Sequence, residues 1–203
     1  MRLADAKRDH FRKLAKKQGY RSRSAFKLVQ LNESYHILKK GYRVVDLGCA
    51  PGGWIQVALK EIGPSGRILG IDLKGVEPLD GVTLIRGDIE KEETKDEVLR
   101  VLGGKADLVL SDLAPNVSGI WDIDHARQID LTRAAISVAR TILRPGGNSV
   151  LKVFEGELLN ELKGEVTSYF SRAILSKPNA SRQESSELYL VCQGFLGQDL
   201  DRV

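Results

Sequence analysis

The chain has 203 residues, of which 42% are hydrophobic and 29% charged, and this composition fits one globular domain. No apolar run approaches the roughly 20 residues that span a bilayer, and the N-terminus lacks the apolar segment of a secretory signal. We therefore expect a cytoplasmic protein. Cys49 and Cys192 fit no metal-ligand spacing, so we expect two reduced thiols and no metal site.

The net charge of +4 is unevenly distributed along the chain. Residues 1–43 hold 13 Lys or Arg against three acids, a balance of +10, whereas the remainder holds 18 basic and 24 acidic residues, a balance of −6. A basic segment on a mildly acidic body favours a polyanionic partner held at one place. On charge alone, a solvated helix explains the pattern equally well.

Two helices are predicted before the first strand. Residues 5–18 have a helical pattern that is mostly polar, and Gly19 ends it. A second helix is predicted from residue 24 to about residue 35, with Ser22 or Ser24 as its N-cap.

From residue 43 onward, short β-rich runs alternate with helical stretches. Most runs are continuously apolar, which is typical of strands covered on both faces. The predicted strands are residues 43–47, 67–72, 82–86, 106–111, 149–153, 173–175 and 188–195. The RPGGN segment at 144–148 predicts a turn before the fifth strand. A polar connection without a helix joins the last two strands, which fits an antiparallel last strand.

The sequence therefore predicts an α/β fold, a Rossmann-like and mostly parallel sheet of seven strands with helices on both faces. We expect a single domain over residues 1–203, because no repeat, low-complexity tract or linker interrupts it. Within it, residues 1–40 are predicted to form a basic helical appendage that faces the polyanionic partner, and residues 41–196 the core of the fold.

A glycine-rich turn follows the first predicted strand, in residues 46–54 (DLGCAPGGW). Gly48, Gly52 and Gly53 lie where the strand must turn sharply into a helix, and glycine there permits positive φ and close approach of a ligand. The spacing is neither the GxGxxG of dinucleotide sites nor a phosphate loop. Such a turn suits a ligand like S-adenosylmethionine, although a tight structural turn has the same pattern.

Carboxylates follow three further predicted strands. Asp72 ends the second strand, Asp88 follows the third and Asp112 follows the fourth. Because ligands of open α/β sheets bind at the carboxyl ends of the strands, the three acids are expected to face one crevice. Asp72 is then placed near the ribose hydroxyls of a bound nucleoside and Asp88 near its adenine. Taken singly, each acid is as well explained as a cap of a helix or turn.

Five motifs resemble, in the same order, those of the FtsJ/RrmJ ribosomal RNA 2′-O-ribose methyltransferases. They are RSRSAFKL at 21–28, DLGCAPGGW at 46–54, SDLAPN at 111–116, LKVF at 151–154 and SSELY at 185–189. The resemblance extends from about Phe11 to Phe195, and one departure is Cys49, where many relatives have alanine. It implies a methyltransferase fold, S-adenosylmethionine as methyl donor with S-adenosylhomocysteine as product, and a ribose 2′-hydroxyl of RNA as acceptor. In the family that acceptor is a uridine of the large-subunit (23S) ribosomal RNA.

The resemblance also implies the site residues. The family's Lys-Asp-Lys-Glu tetrad corresponds to Lys27, Asp112, Lys152 and Glu187, with Lys152 as the proton acceptor. The cofactor contacts that it implies are Gly52, Trp54, Asp72, Asp88 and Asp112.

The chemistry supports these roles independently. A ribose hydroxyl that attacks a sulfonium methyl group must be aligned with it and must lose its proton. A lysine that accepts the proton has to be uncharged, a state favoured by burial and by positive charge from Lys27 and the sulfonium. Asp112 and Glu187 oppose that state if they are ionised close by. We therefore assign Asp112 to positioning the cofactor and Lys152, and Glu187 to positioning the lysines or the ribose. An ordinary strand-end lysine is the alternative interpretation of Lys152.

Basic residues ahead of the sheet are predicted to contact RNA phosphates. They are Arg8, Arg12, Lys13, Lys16, Lys17, Arg21 and Arg23. Tyr20 and Trp121 either stack on an unpaired base or pack as ordinary aromatics. The loop from Asn116 to His125 is a candidate for closing over the substrate, and His125 is interpreted as a helix-start residue without a visible partner.

We expect a monomer that binds RNA, within the large ribosomal subunit, and neither DNA nor membrane. Three other functions stay open on the sequence: a transfer RNA 2′-O-methyltransferase, a noncatalytic RNA-binding or ribosome-assembly protein, and a small-molecule methyltransferase. The intact tetrad argues against the second and the basic segment against the third.

Overall fold

The computed structural model describes residues 3–182 and 184–197, with the backbone alone for residues 3–9. Its helices are α1 (Leu3–Lys17), α2 (Ala25–Tyr35), α3 (Gly53–Ile62), α4 (Glu92–Leu102), α5 (Trp121–Ile142) and α6 (Leu159–Thr167). Its strands are β1 (Arg43–Leu47), β2 (Arg67–Asp72), β3 (Val82–Arg86), β4 (Ala106–Ser111), β5 (Leu143–Phe154), β6 (Phe170–Ser176) and β7 (Glu187–Phe195). Among the described helices, none combines the length and apolarity needed to cross a lipid bilayer.

One seven-stranded sheet organises the described chain, in the order β3-β2-β1-β4-β5-β7-β6. The pairs among β1 to β5 are parallel, whereas β7 runs antiparallel to both β5 and β6. The predicted fold class is confirmed, including the antiparallel last strand. The chain order reverses between β1 and β4, and such a reversal opens a crevice at the carboxyl ends of the strands.

Helices cover both faces of the sheet, as predicted. Neighbouring residues of β1 face opposite sides: Val45 packs in the core lined by α4, α5 and α6, whereas Val44 packs in the core lined by α2 and α3. This two-sided burial explains why the strands are apolar without alternation. Cys49 and Cys192 are both buried and unpaired.

Ser24, one of the two predicted residues, occupies the N-cap position of the second helix, but without the expected side-chain cap. Ser24 precedes α2 with helical backbone angles (φ −62°, ψ −21°), and its side chain makes no capping hydrogen bond. Its hydroxyl lies 2.7 Å from that of Ser22 instead, so the two serines satisfy each other. Ala25, Leu28 and Leu31 of α2 are buried against the sheet, so this helix contributes to the main core.

The fifth strand begins earlier than predicted, at Leu143 instead of residue 149. Ala106 of β4 pairs with Leu143, and Leu108 pairs with Asn148, so the RPGGN segment is an irregularity inside β5. Gly146 adopts φ 77°, which lets the backbone loop out and return to the same strand. The chain does turn at RPGGN, as predicted, but the turn is a bulge between two paired parts of one strand.

Candidate active site

The sheet topology brings the ends of β1, β2, β4 and β5 to one edge. Because β7 is antiparallel to β5, the start of β7 lies at this edge as well: Phe154 near the end of β5 pairs with Glu187. Lys152 pairs with Tyr189. Residues two apart on a strand and residues paired across two strands face the same side, so the side chains of Lys152, Glu187 and Tyr189 line the same face of the sheet.

Lys152 is held by acceptors from two strands. Its Nζ lies 2.9 Å from Oδ1 of Asp112 and donates a second hydrogen bond, also 2.9 Å, to the Asp112 backbone carbonyl. Glu187 Oε2 lies 3.7 Å away. Only 8% of Lys152 is exposed, so this ammonium is desolvated and depends on the two carboxylates.

Lys27 reaches the same cluster from α2. Its Nζ lies 2.5 Å from Oε1 of Glu187 and donates to the Tyr189 hydroxyl at 3.2 Å. Glu187 thus faces both lysines, one at each carboxylate oxygen. The structure therefore brings together all four predicted tetrad residues.

Tyr189 is a member of the cluster that the sequence analysis missed. Its hydroxyl accepts from Lys27 and donates to Asp112 Oδ1 at 2.7 Å, so it joins the two halves of the tetrad. Burial, followed by the charges of Asp112 and Glu187, raises the pKa of Tyr189 well above its ordinary value, which keeps the hydroxyl protonated as a donor. The available signal was its position two residues after Glu187 on one strand.

Glu187 is held in its charged form. Burial acts to raise the pKa of Glu187, but the charges of Lys27 and Lys152 and hydrogen bonds from Lys27 and Ser181 lower it below its ordinary value. The Ser181 hydroxyl donates to Oε1 at 2.9 Å. Ser181, from the connection before β7, is a second residue that sequence reasoning missed.

The glycine turn lies beside this cluster. Gly48 follows β1 with φ 74°, and Gly52 precedes α3 with φ 107°, a conformation that side chains disfavour. A Cβ at Gly48 would lie 2.5 Å from Leu113, the residue after Asp112. The turn therefore approaches the end of β4 so closely that only glycine fits. Gly53, the first residue of α3, is packed against the Ser22 hydroxyl in the same way.

Asp72 and Asp88 both bond to nearby backbone. Asp72 accepts hydrogen bonds from the Ala50 amide at 2.9 Å and the Lys74 amide at 2.8 Å, so it ties the glycine turn to the end of β2. Asp88 accepts one from the Glu90 amide at 3.1 Å. Both side chains are half-buried, and the structure places them at neighbouring strand ends, as predicted.

Asp46 is the unusual acid of the turn. It is fully buried at the end of β1, and neither carboxylate oxygen has a hydrogen-bond partner among the described residues. Burial, followed by the charges of Asp112 and Asp72, raises the pKa of Asp46 well above its ordinary value. Three acidic side chains thus converge where β1, β2 and β4 end, and the charges of the other two favour a proton on Asp46.

The side chain of Trp54, predicted to contact the cofactor, is buried. Its indole is 3% exposed, donates Nε1–H to the Ser24 carbonyl at 2.9 Å, and packs on Tyr189 with ring centroids 5.6 Å apart. A ligand at this position would therefore meet the backbone of Trp54. Its side chain instead supports the tetrad from the α2–α3 side.

Arg21 has partners that the sequence did not suggest. Its guanidinium donates to the carbonyls of Pro51, Glu77 and Pro78, at 3.2, 2.6 and 2.8 Å. The side chain also lies against Gly52, where an added Cβ would be 3.1 Å from Nη1. Arg21 therefore clamps the glycine turn to the loop after β2, and its predicted RNA contact stays a prediction.

The other basic residues that were predicted to contact RNA lie on α1 or in the segment that follows it. The side chains of Arg12, Lys13, Lys16 and Lys17 are exposed on α1, Arg23 is half-buried, and the side chain of Arg8 lies outside the described residues. On its other side α1 packs through Phe11 and Ala15 against Phe26 and Ala180. Helix α1 therefore presents positive charge to solvent while it is fixed to α2, which carries Lys27.

The fold and the strand-end site together define a Rossmann-like methyltransferase. The model of the family described as FtsJ-like methyltransferase matches residues 20–195, and the chain belongs to this family.

Individual relatives agree. The chain is 52% identical over 194 residues to Ribosomal RNA large subunit methyltransferase E of Methanothrix thermoacetophila, covering 96% of this chain and 75% of that protein. It is 50% identical over 197 residues to the protein of the same name from Nitrosopumilus maritimus, covering 97% and 100%. A crystal structure from Plasmodium falciparum described as a ribosomal RNA methyltransferase superimposes with a TM-score of 0.80 at 32% identity, covering 88% of this chain and all of that one.

Proposed function

We propose that this chain transfers a methyl group from S-adenosylmethionine to a ribose 2′-hydroxyl of large-subunit ribosomal RNA. The observation that carries the proposal is the cluster of Lys27, Asp112, Lys152 and Glu187 beside the glycine turn. The names of the relatives from Methanothrix thermoacetophila and Nitrosopumilus maritimus support the substrate, because both specify large-subunit ribosomal RNA.

The residues around the turn fit S-adenosylmethionine. When bound, this donor supplies a methyl group on a positively charged sulfur. Asp46 offers two buried carboxylate oxygens without a partner among the described residues, and Asp112 and Asp72 add negative charge. Such a site favours a ligand that carries cationic groups. Asp72 and Asp88 would hold its ribose and adenine, and the backbone of Gly48, Gly52, Gly53 and Trp54 would border it.

Lys152 is the lysine of the tetrad that we assign as proton acceptor. The four side chains carry two positive and two negative charges, so a further positive charge beside them favours the loss of one proton. Lys27 contacts Glu187 at 2.5 Å, whereas the carboxylate contacts of Lys152 are longer, at 2.9 and 3.7 Å. Lys152 lies between Asp112 and Glu187, whereas Lys27 contacts Glu187 alone of the two carboxylates, so we place the acceptor hydroxyl at Lys152.

Exposed basic residues of α1 supply a surface for the RNA backbone. Phosphate contacts position a nucleic acid without reading its sequence, and they weaken with salt. Because α1 is fixed to α2, and α2 carries Lys27 into the cluster, RNA bound along α1 would be held at the mouth of the active site.

The test offers methyl-labelled S-adenosylmethionine with naked large-subunit ribosomal RNA, assembled large subunits and transfer RNA in parallel, and then maps the modified nucleoside. We expect a 2′-O-methyl group in ribosomal RNA. The same assay is run with Lys152→Ala, which we expect to lose methyl transfer. Its matched control is Lys60→Ala, a change of an exposed lysine on α3. Label found only in transfer RNA would show that the substrate is transfer RNA and not ribosomal RNA. No label with any RNA would favour the noncatalytic alternative, and a methyl group on a base would contradict the assigned chemistry.

A further inference from the structure

An apolar surface lies at the start of α5. Four of the six large apolar side chains that are exposed in the described chain belong to it, and these are Val117 (71% exposed), Ile120 (57%), Trp121 (47%) and Ile123 (41%). Such a concentration on one short segment marks a binding surface more often than chance exposure.

The indole of Trp121 is the outer member of an aromatic stack. Its ring centroid lies 5.9 Å from that of His125 and 6.1 Å from that of Phe154, with interplanar angles of 20° and 24°. His125 is buried and accepts a hydrogen bond from the Leu158 amide at 3.2 Å, so its ring is fixed. A Cβ at Gly156 would lie 2.5 Å from the imidazole, so glycine is needed there for the ring to fit.

The segment that carries Trp121 is fixed from the other side by Asp124. This buried carboxylate accepts hydrogen bonds from the Ser118 amide (2.7 Å), the Ser118 hydroxyl (2.8 Å) and the Gly119 amide (3.0 Å). The indole is thus exposed on a preorganised backbone. A flat and rigid aromatic face suits stacking, because little order has to be gained on binding.

The stack adjoins the tetrad. Phe154 pairs with Glu187 across β5 and β7, and it lies two residues after Lys152 along β5. Two residues of a strand span about 6.6 Å, so Phe154 and Lys152 are about that far apart along β5. In a nucleoside, the base is bonded to the ribose carbon next to the one that bears the 2′-hydroxyl. A 2′-hydroxyl at Lys152 therefore leaves its base within reach of Phe154 and Trp121.

We propose that Trp121, backed by Phe154 and His125, stacks on the base of the nucleotide that is methylated. This inference rests on the proposed function and narrows its substrate class: the acceptor nucleotide is unpaired, since a base inside a duplex cannot offer its face. Aromatic side chains bind single-stranded bases in this way with little preference among bases.

The test is a cycle that combines changes in the protein and in the RNA. Wild type, Trp121→Ala, Trp121→Phe and the control Leu196→Ala, a change of an exposed apolar residue outside this surface, are assayed for kcat/KM on an RNA fragment that contains the mapped acceptor, and on the same fragment with an abasic acceptor. We expect Trp121→Ala to lower kcat/KM on the intact fragment between about 5-fold and 100-fold, and less than about 2-fold on the abasic one. Trp121→Phe retains most of the activity, Leu196→Ala is neutral, and cofactor affinity is unchanged in all variants.

Equal losses on both fragments, or no loss on either, would overturn the stacking role, and the second result would leave the surface to a protein partner. Wild type that methylates no RNA would instead contradict the proposed function itself. The two failures are therefore distinct, because the first requires an active wild type.

Discussion

Replacing Arg21 separates two roles of the basic segment, phosphate binding and support of the cofactor turn. The guanidinium bridges the carbonyls of Pro51, Glu77 and Pro78. Hydrogen bonds from a charged donor contribute about 1.5–3 kcal/mol each when buried, and Arg21 is only half-buried. We therefore assign about 2 kcal/mol to the clamp in total, which corresponds to roughly 30-fold in an equilibrium constant.

If the glycine turn and the loop after β2 must both be ordered to bind S-adenosylmethionine, Arg21→Ala raises the dissociation constant of S-adenosylmethionine by about 10- to 30-fold. Arg21→Lys restores only part of this, because one ammonium group cannot bridge carbonyls from two loops. Titration calorimetry measures the cofactor constant, and RNA binding at several salt concentrations measures the phosphate contacts.

Arg12→Ala, on the exposed side of α1, is the matched control, and we expect it to lower the salt dependence of RNA binding by about one unit of slope without changing cofactor affinity. The reasoning is refuted if Arg21→Ala behaves like the control, with an unchanged cofactor constant and a reduced slope.

Three further changes test the site. Tyr189→Phe removes the hydroxyl that joins Lys27 to Asp112, so we expect the free energy of unfolding in urea to fall by about 1–3 kcal/mol and methyl transfer to slow at least tenfold. Normal transfer would show that the tetrad keeps its arrangement without the Tyr189 hydroxyl. Glu187→Gln destabilises the chain at neutral pH, but because the pKa of Glu187 is lowered, the difference from wild type disappears as pH falls below about 4; a difference that persists there would contradict the ion-pair explanation. The raised pKa of Asp46 means that the folded chain keeps a proton which the unfolded chain has lost, so stability falls by up to about 1.4 kcal/mol per pH unit as pH rises above about 3.9. Asp46→Asn removes this part of the fall in stability, measured by denaturation at successive pH values above about 3.9, and an unchanged slope would mean that Asp46 is ionised in the folded chain.

Much of the sheet could be predicted from the sequence, for a definite reason. The predicted bounds of the first four strands coincide with β1 to β4, because each is a short apolar run that ends at a glycine, an acid or a polar turn. The start of β5 could not be predicted, since RPGGN has turn chemistry whether it joins two elements or bulges out of one. The N-cap position of Ser24 was predicted, but its capping hydrogen bond is absent because the hydroxyls of Ser22 and Ser24 bond to each other.

The site could be predicted only where a motif marks it. Lys27, Asp112, Lys152 and Glu187 were found through their motifs, and the structure brings them together. The clamp made by Arg21 depends on a loop more than 50 residues away, and no local pattern indicates such a contact. Charge composition grouped Arg21 with the basic residues of α1, although its partners are carbonyl oxygens.

Single-turnover methyl transfer by Lys152→Ala tests the proton-acceptor role most directly. The variant and wild type are compared at saturating S-adenosylmethionine and RNA, with the dissociation constant of S-adenosylmethionine measured separately. We expect cofactor binding to be retained and the rate of methyl transfer to fall at least about a hundredfold, the scale of a lost general base. A rate close to that of wild type would contradict the assignment of Lys152 and with it the central role of the tetrad.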